Sequence, residues 1–166
     1  MKDNKKDDNK YGYRPFAEWI WRSYDGKNKI VVEDFIKEHR GDMFFIGTDS
    51  QNYSKRKVCV FTTALIAYKL HSGGSIVMHR DKVSYMEALR QRLMMEAMRS
   101  LETAWFVDSK ISDKSFIGVH LDVNQSLNFK SGKYKDELVG LIVSQGFDCK
   151  TKPDAFAASF CADKKC

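Results

Sequence analysis

The chain contains little of what marks secreted, membrane-spanning or disordered proteins. Only 2 of its 166 residues are proline, and 43% are hydrophobic, which is typical of a folded globular protein. No apolar run approaches the roughly 20 residues that a membrane-spanning helix needs. The first ten residues, MKDNKKDDNK, contain no apolar stretch of the kind found in secretory signals. We therefore predict a cytoplasmic protein without a membrane partner.

Cysteine is also sparse, and its spacing is uninformative for metal binding. The chain has 4 cysteines and no C-x-x-C pair, and the spacing of Cys161 and Cys166 fits no common zinc site. In a cytoplasmic protein we expect all four thiols to be reduced.

Positive charge is in modest excess, because 28 basic and 22 acidic residues give a net charge of +6. This surplus favours a polyanionic partner such as nucleic acid. The basic residues fall into three groups, namely Lys55, Arg56 and Lys57; Arg90, Arg92 and Arg99; and Lys133, Lys135, Lys150 and Lys152.

Hydrophobic periodicity predicts an α/β protein. Helices are predicted at 14–24, about 32–41, 84–106, 134–146 and from Pro153 onward. Strands are predicted at 43–49, 57–68, 75–79, 116–124 and 147–151.

This order predicts a five-stranded mixed sheet, a three-strand antiparallel meander followed by β-α-β-α, with helices on its faces. We divide the chain into a flexible tail at 1–10, an N-terminal helical preamble at 11–42 and one domain at 43–166. Nothing in the sequence predicts an oligomeric state.

Two carboxylates are placed where strands end. Asp49 follows the apolar run Met43–Ile46 and Gly47–Thr48, and Asp122 lies in the apolar strand FIGVHLDVN. Ligand groups gather at the carboxyl ends of parallel strands, so we expect the two to be neighbours. Adjacent carboxylates repel unless a proton or a cation lies between them.

Further acids come from helices. Asp154 follows Pro153 in the predicted first turn of the last helix, where an acid is favoured by the helix dipole. In the long helix, Glu87 and Glu96 lie on opposite flanks of the apolar stripe, so only one of them can face the site. Helical geometry alone leaves both open.

The segments IGTDSQ, RLMMEAMRSLE (92–102), HLDVN and GFDCKTKPDAFAASFCADK occur in an order that resembles the YkuK-like family of ribonuclease H-related proteins, from about residue 30 to 166. The resemblance implies a ribonuclease H-like fold. It also implies an acidic site formed by Asp49, Glu96, Asp122 and Asp154, with these four residues as both catalytic groups and metal ligands.

The implied activity is a Mg²⁺- or Mn²⁺-dependent nuclease that hydrolyses RNA, an RNA/DNA hybrid or DNA with two metal ions. Two alternatives remain. The chain is a nucleic-acid-binding or scaffold module with a vestigial site, or IGTDSQ is the phosphate loop of an actin-like ATPase. The latter is disfavoured because such enzymes need two domains.

Overall fold

A computed structural model describes residues 12–112 and 115–163, except for the side chains of residues 160–163. The predicted tail at 1–10, Cys166 and the side chain of Cys161 lie outside this description. The described strands are β1 (Trp21–Ser23), β2 (Lys29–Ile30), β3 (Met43–Tyr53), β4 (Val58–Lys69), β5 (Gly73–Ser84), β6 (Ile117–Leu121) and β7 (Asp148–Lys150). The described α-helices are α1 (Val32–Glu38), α2 (Leu89–Lys110), α3 (Lys135–Ser144) and α4 (Phe156–Asp163).

The strands form one mixed sheet in the order β2-β1-β5-β4-β3-β6-β7. Strands β3, β6 and β7 are parallel, and the other neighbours are antiparallel. The mixed α/β sheet is as predicted, but the prediction of five strands is wrong, since the described sheet has seven.

The two additional strands come from the N-terminal region, where a helix is predicted at 14–24. The prediction of this helix is wrong. Apart from a short 3-10 turn at Phe16–Glu18, the segment continues into β1, which pairs with the edge of β5. The apolar residues that suggest a helical face pack as an aromatic group, with the rings of Trp19 and His79 stacked 4.4 Å apart. Of the predicted helical preamble at 11–42, only α1 is an α-helix in the described part.

Strand β3 does not end at Asp49, as the sequence predicts, but continues to Tyr53. Its pairing with β4 is unbroken from Met43 to Tyr53, and Asp49 lies opposite Thr62. Gly47 therefore does not form a turn. It lies beneath α4, where an added Cβ would come within 2.4 Å of the backbone nitrogen of Ala158.

The helices cover the two faces of the sheet. Helix α2 packs on one face, where the hydroxyls of Thr48 and Ser100 are hydrogen-bonded at 2.9 Å. Helix α4 packs on the other face, against β3, β4 and β6. The main core lies between α2 and the sheet and includes Phe44, Ile46, Leu65, Ala97, Leu101, Val119, Leu121 and Ile142.

Two helix starts differ from the prediction. Helix α2 begins at Leu89 rather than at 84, because β5 continues to Ser84. Helix α4 begins at Phe156, so Asp154 lies in the turn before it and not in its first turn.

Within the described residues, no helix is long and apolar enough to cross a bilayer.

Candidate acidic site

Asp49 and Asp122 are neighbours on the two central parallel strands. The parallel ladder between β3 and β6 pairs Thr48 with Leu121, so the next residue on each chain is an aspartate. Because β6 ends at Leu121 while β3 continues, Asp122 lies just beyond the carboxyl end of β6, beside Asp49. The two side chains are in hydrogen-bonding contact.

This contact has a clear electrostatic consequence. Burial, and then the charge of Asp122, raise the pKa of Asp49 from 3.8 to about 6, while Lys152 acts in the opposite direction. Ionisation of both carboxylates therefore costs free energy, which a proton or a cation between them reduces. The pair is therefore a place where positive charge is stabilised.

Glu96 approaches the pair from α2. Its side chain is 5% exposed and accepts a hydrogen bond of 2.5 Å from the hydroxyl of Ser50. Burial, and then the charge of Asp49, raise the pKa of Glu96 well above its usual value. Ser50 is held in turn by Arg92, which donates a hydrogen bond of 3.1 Å to its carbonyl oxygen.

The alternative helix carboxylate, Glu87, lies elsewhere. It is exposed in the segment before α2, which begins two residues later. The structure thus brings Glu96 near the two aspartates and leaves Glu87 in solvent.

Lys152 supplies a cation at the site. Its ammonium lies 2.5 Å from Oδ1 of Asp122, and its backbone nitrogen donates a 3.1 Å hydrogen bond to the carbonyl oxygen of Val123. The ion pair offsets part of the repulsion between Asp122 and Asp49. The sequence places Lys152 only in the third group of basic residues and gives no signal for this contact.

Asp154 has no described contact with the other three acids. It is exposed, and its backbone nitrogen donates a 2.9 Å hydrogen bond to the carbonyl oxygen of Thr151. No interaction described for the resolved side chains links its carboxylate to Asp49, Glu96 or Asp122. Three of the four predicted site residues are therefore in mutual electrostatic contact, and the fourth, Asp154, is exposed to solvent.

His120 lies two residues before Asp122 and has a structural role. It is fully buried, and its Nδ1 accepts a 3.1 Å hydrogen bond from the backbone nitrogen of Ala157 in α4. Burial, followed by the charge of Lys150, lowers the pKa of His120 to about 4. The neutral ring thus fixes the start of α4 against β6.

The donor atoms of the acidic site meet only part of what a metal ion requires. Among the described side chains, no group of three or more His, Cys, Asp or Glu residues is arranged to hold a metal ion. The Asp49–Asp122 pair alone fits a hard divalent cation, because its donors are carboxylate oxygens and its charges repel. Glu96, turned toward Ser50, and Asp154, turned to solvent, do not complete a coordination shell in this arrangement.

A mixed sheet with acidic residues on two adjacent parallel strands and on the packed helix defines the ribonuclease H-like class. The family model described as Ribonuclease H-like matches residues 29–166, and the chain belongs to this family. The chain is also 33% identical over 131 residues to the Uncharacterized protein YkuK of Bacillus subtilis (strain 168), across 68% of this chain and 72% of that protein. Both findings confirm the resemblance seen in the motifs, and family membership indicates a nuclease-like or nucleic-acid-related function.

Proposed function

We propose that the protein is a divalent-metal-dependent nuclease that hydrolyses phosphodiester bonds in RNA, an RNA/DNA hybrid or DNA. The observation that carries this proposal is the contact between Asp49 and Asp122 on adjacent parallel strands, which raises the pKa of Asp49 to about 6. The ribonuclease H-like superfamily commonly uses divalent metals, which agrees with a paired-carboxylate site.

Asp49 and Asp122 are the residues that would hold Mg²⁺ or Mn²⁺. When bound, the metal would supply activation of a water molecule and stabilisation of the leaving oxygen. Glu96 adds a carboxyl group from α2, and the hydroxyl of Ser50 donates a hydrogen bond to it. In the proposed site Asp154 is the fourth acid, which requires its side chain to turn inward from its exposed position.

A nuclease assay with labelled RNA, DNA and hybrid substrates, with and without Mg²⁺ or Mn²⁺, tests this proposal. We expect metal-dependent cleavage of at least one substrate. Glu96→Gln should lower the cleavage rate by about 10-fold or more, because it removes a carboxylate beside Asp49 and Asp122, the residues proposed to hold the metal.

Glu87→Gln is the matched control, since it makes the same chemical change at an exposed position outside the site. We expect it to cleave at the wild-type rate. Equal rates for the two glutamine variants would remove Glu96 from the site. Absence of cleavage on the whole panel would contradict the nuclease proposal itself.

A non-catalytic nucleic-acid-binding module is the second candidate. The observation that favours it is the position of Lys152, whose ammonium already neutralises Asp122 at 2.5 Å. A module of this kind would bind nucleic acid without metal-dependent cleavage, and it would gain no stability from added Mg²⁺ or Mn²⁺. The same assay combined with a metal titration separates the two candidates.

A further inference from the structure

Part of the sheet face that carries Asp49 is not covered by α4. The strand registers place Gln51, Asp49 and Gly47 of β3 on the same face of the sheet as their partners on β4 and β5. Met78 of β5 lies on this face and is paired with Arg22, so the face continues onto β1. Helix α4 covers β3, β4 and β6 on this side. Among the described elements, the β5 and β1 part of the face therefore lies open beside the acids.

This open face carries positive charge. Arg80 and Lys82 project from it on β5, Arg22 projects from it on β1, and all three side chains are exposed. Arg56, also exposed, lines the same region near Tyr53. We call the surface formed by Arg22, Arg56, Arg80 and Lys82 the basic trough.

The trough consists of two adjoining hollows that share Arg80. One is about 380 Å³ and is lined by residues that include Tyr53, Arg56 and Lys82. The other is about 500 Å³ and is lined by residues that include Arg22, Tyr24 and Thr62. Volumes of this size are typical of sites for small organic groups such as a nucleotide.

The two acids at the trough do not cancel its charge. The carboxylate of Asp25 accepts hydrogen bonds from the hydroxyl of Ser23 and the backbone nitrogen of Lys27 in the β1–β2 turn. Asp81 forms a 3.2 Å ion pair with the buried Arg99 on the α2 side of the sheet. With Asp81 paired to Arg99, the trough has four cations and one acid, Asp25, so its net charge is positive.

The trough is continuous with the acidic site. Asp49 is paired with Thr62, and Thr62 is paired with Arg80, so Asp49 and Arg80 lie two strands apart, roughly 10 Å at the spacing of a sheet. Arg22 lies before residue 29, where the family match begins. The far end of the trough is thus built by β1, an element outside the matched region.

We infer that the basic trough binds a single strand of nucleic acid and leads it to Asp49 and Asp122, an inference that rests on the proposed function for the role of the acids. The exposed cations would contact successive phosphates of the nucleic-acid backbone, and bases would stack on the rings of Tyr24 and Tyr53. A single strand fits because the trough lies on the sheet surface itself, where separate hollows accept individual nucleotides. The substrate class is single-stranded RNA or DNA.

Binding of a fluorescent single-stranded oligonucleotide, measured by anisotropy in the presence of a chelator, tests the inference without any cleavage. Arg22→Ala and Lys82→Ala should each weaken binding by about 3- to 10-fold. Each should also reduce the slope of log affinity against log salt by about 0.7, since one phosphate contact is lost on a single strand. A matched duplex should bind more weakly than the single strand.

Lys37→Ala is the matched control, because it removes one exposed positive charge from α1, which packs against α2 on the opposite face. It should bind like wild type. Affinity equal to wild type in both trough variants, or tighter binding of the duplex, would overturn the inference. Wild-type protein that binds the single strand in this way but cleaves no substrate with Mg²⁺ or Mn²⁺ would instead contradict only the proposed function.

Discussion

At the scale of single residues, the contact between Asp49 and Asp122 is electrostatically unfavourable in the folded protein when both are ionised. The pKa of Asp49 is raised from 3.8 to about 6 by burial and by Asp122. Between these two pH values the folded protein binds a proton that the unfolded chain releases. The contribution of Asp49 to stability is therefore most favourable below about pH 4 and declines as the pH rises through 6.

This predicts a pH-dependent effect of Asp49→Asn in metal-free buffer. The amide cannot ionise, so the variant should gain stability relative to wild type as the pH rises from 4 to 7, by on the order of 2 kcal/mol. Urea denaturation in chelator at a series of pH values measures the difference. Asp136→Asn, which changes an exposed aspartate on α3, should show no such trend. A constant difference for Asp49→Asn would contradict the raised pKa.

His120 predicts the opposite pH dependence. Its folded pKa is lowered from 6.5 to about 4, so the unfolded chain binds the additional proton and stability falls as the pH falls from 6.5 toward 4. His120→Gln retains an acceptor for the Ala157 nitrogen but does not titrate. The stability of wild type relative to this variant should decrease by about 2 kcal/mol between pH 7 and pH 5, as measured by urea denaturation. An unchanged difference would show that His120 is not held neutral.

At the scale of elements, close backbone packing between β3 and α4 fixes the position of the site. An alanine Cβ at Gly47 would lie 2.4 Å from Ala158 N and 2.7 Å from Ala157 C, and neither backbone atom can move independently of its helix. Gly47→Ala should therefore destabilise the protein by about 2 kcal/mol or more.

Gly140→Ala provides the comparison within α3, because nothing lies within 4 Å of an added Cβ there. It should be stabilising by about 0.5–1 kcal/mol, since alanine favours a helix. Thermal and urea denaturation of both variants give the two values. Similar small effects at both positions would contradict the close contact between β3 and α4.

Elements with a clear periodic or β-branched pattern are the ones that the sequence predicts best. Strand β4 and helices α1, α2 and α3 lie close to their predicted positions, and Gly146 ends the α3 region with a φ of +86°. Strands β1 and β2, with three and two residues, are too short for alternation to appear. They form because the backbone of β5 at the edge of the sheet hydrogen-bonds with β1, and β1 in turn with β2. This pairing depends on the tertiary structure and not on the local sequence.

At the scale of the whole molecule, strand order explains which part of the site is predictable. Asp49 and Asp122 meet because the crossover from β3 to β6 is parallel, and the alternation of strands and helices predicts this. The hydrogen bond from Ser50 to Glu96 joins residues 46 positions apart, and the ion pair of Lys152 with Asp122 depends on how the segment after β7 returns to the site. Neither contact has a signal in the sequence.

Binding of a divalent cation by Asp49 and Asp122 can be measured from the thermal unfolding midpoint with and without Mn²⁺. A cation present at 100 times its Kd stabilises the folded state by about 2.7 kcal/mol. Wild type and Asp136→Asn should therefore unfold several degrees higher with Mn²⁺ than with chelator, while Asp49→Asn should gain little. A midpoint in wild type that does not respond to Mn²⁺, or an equal increase in Asp49→Asn, would show that this pair of carboxylates does not hold the cation.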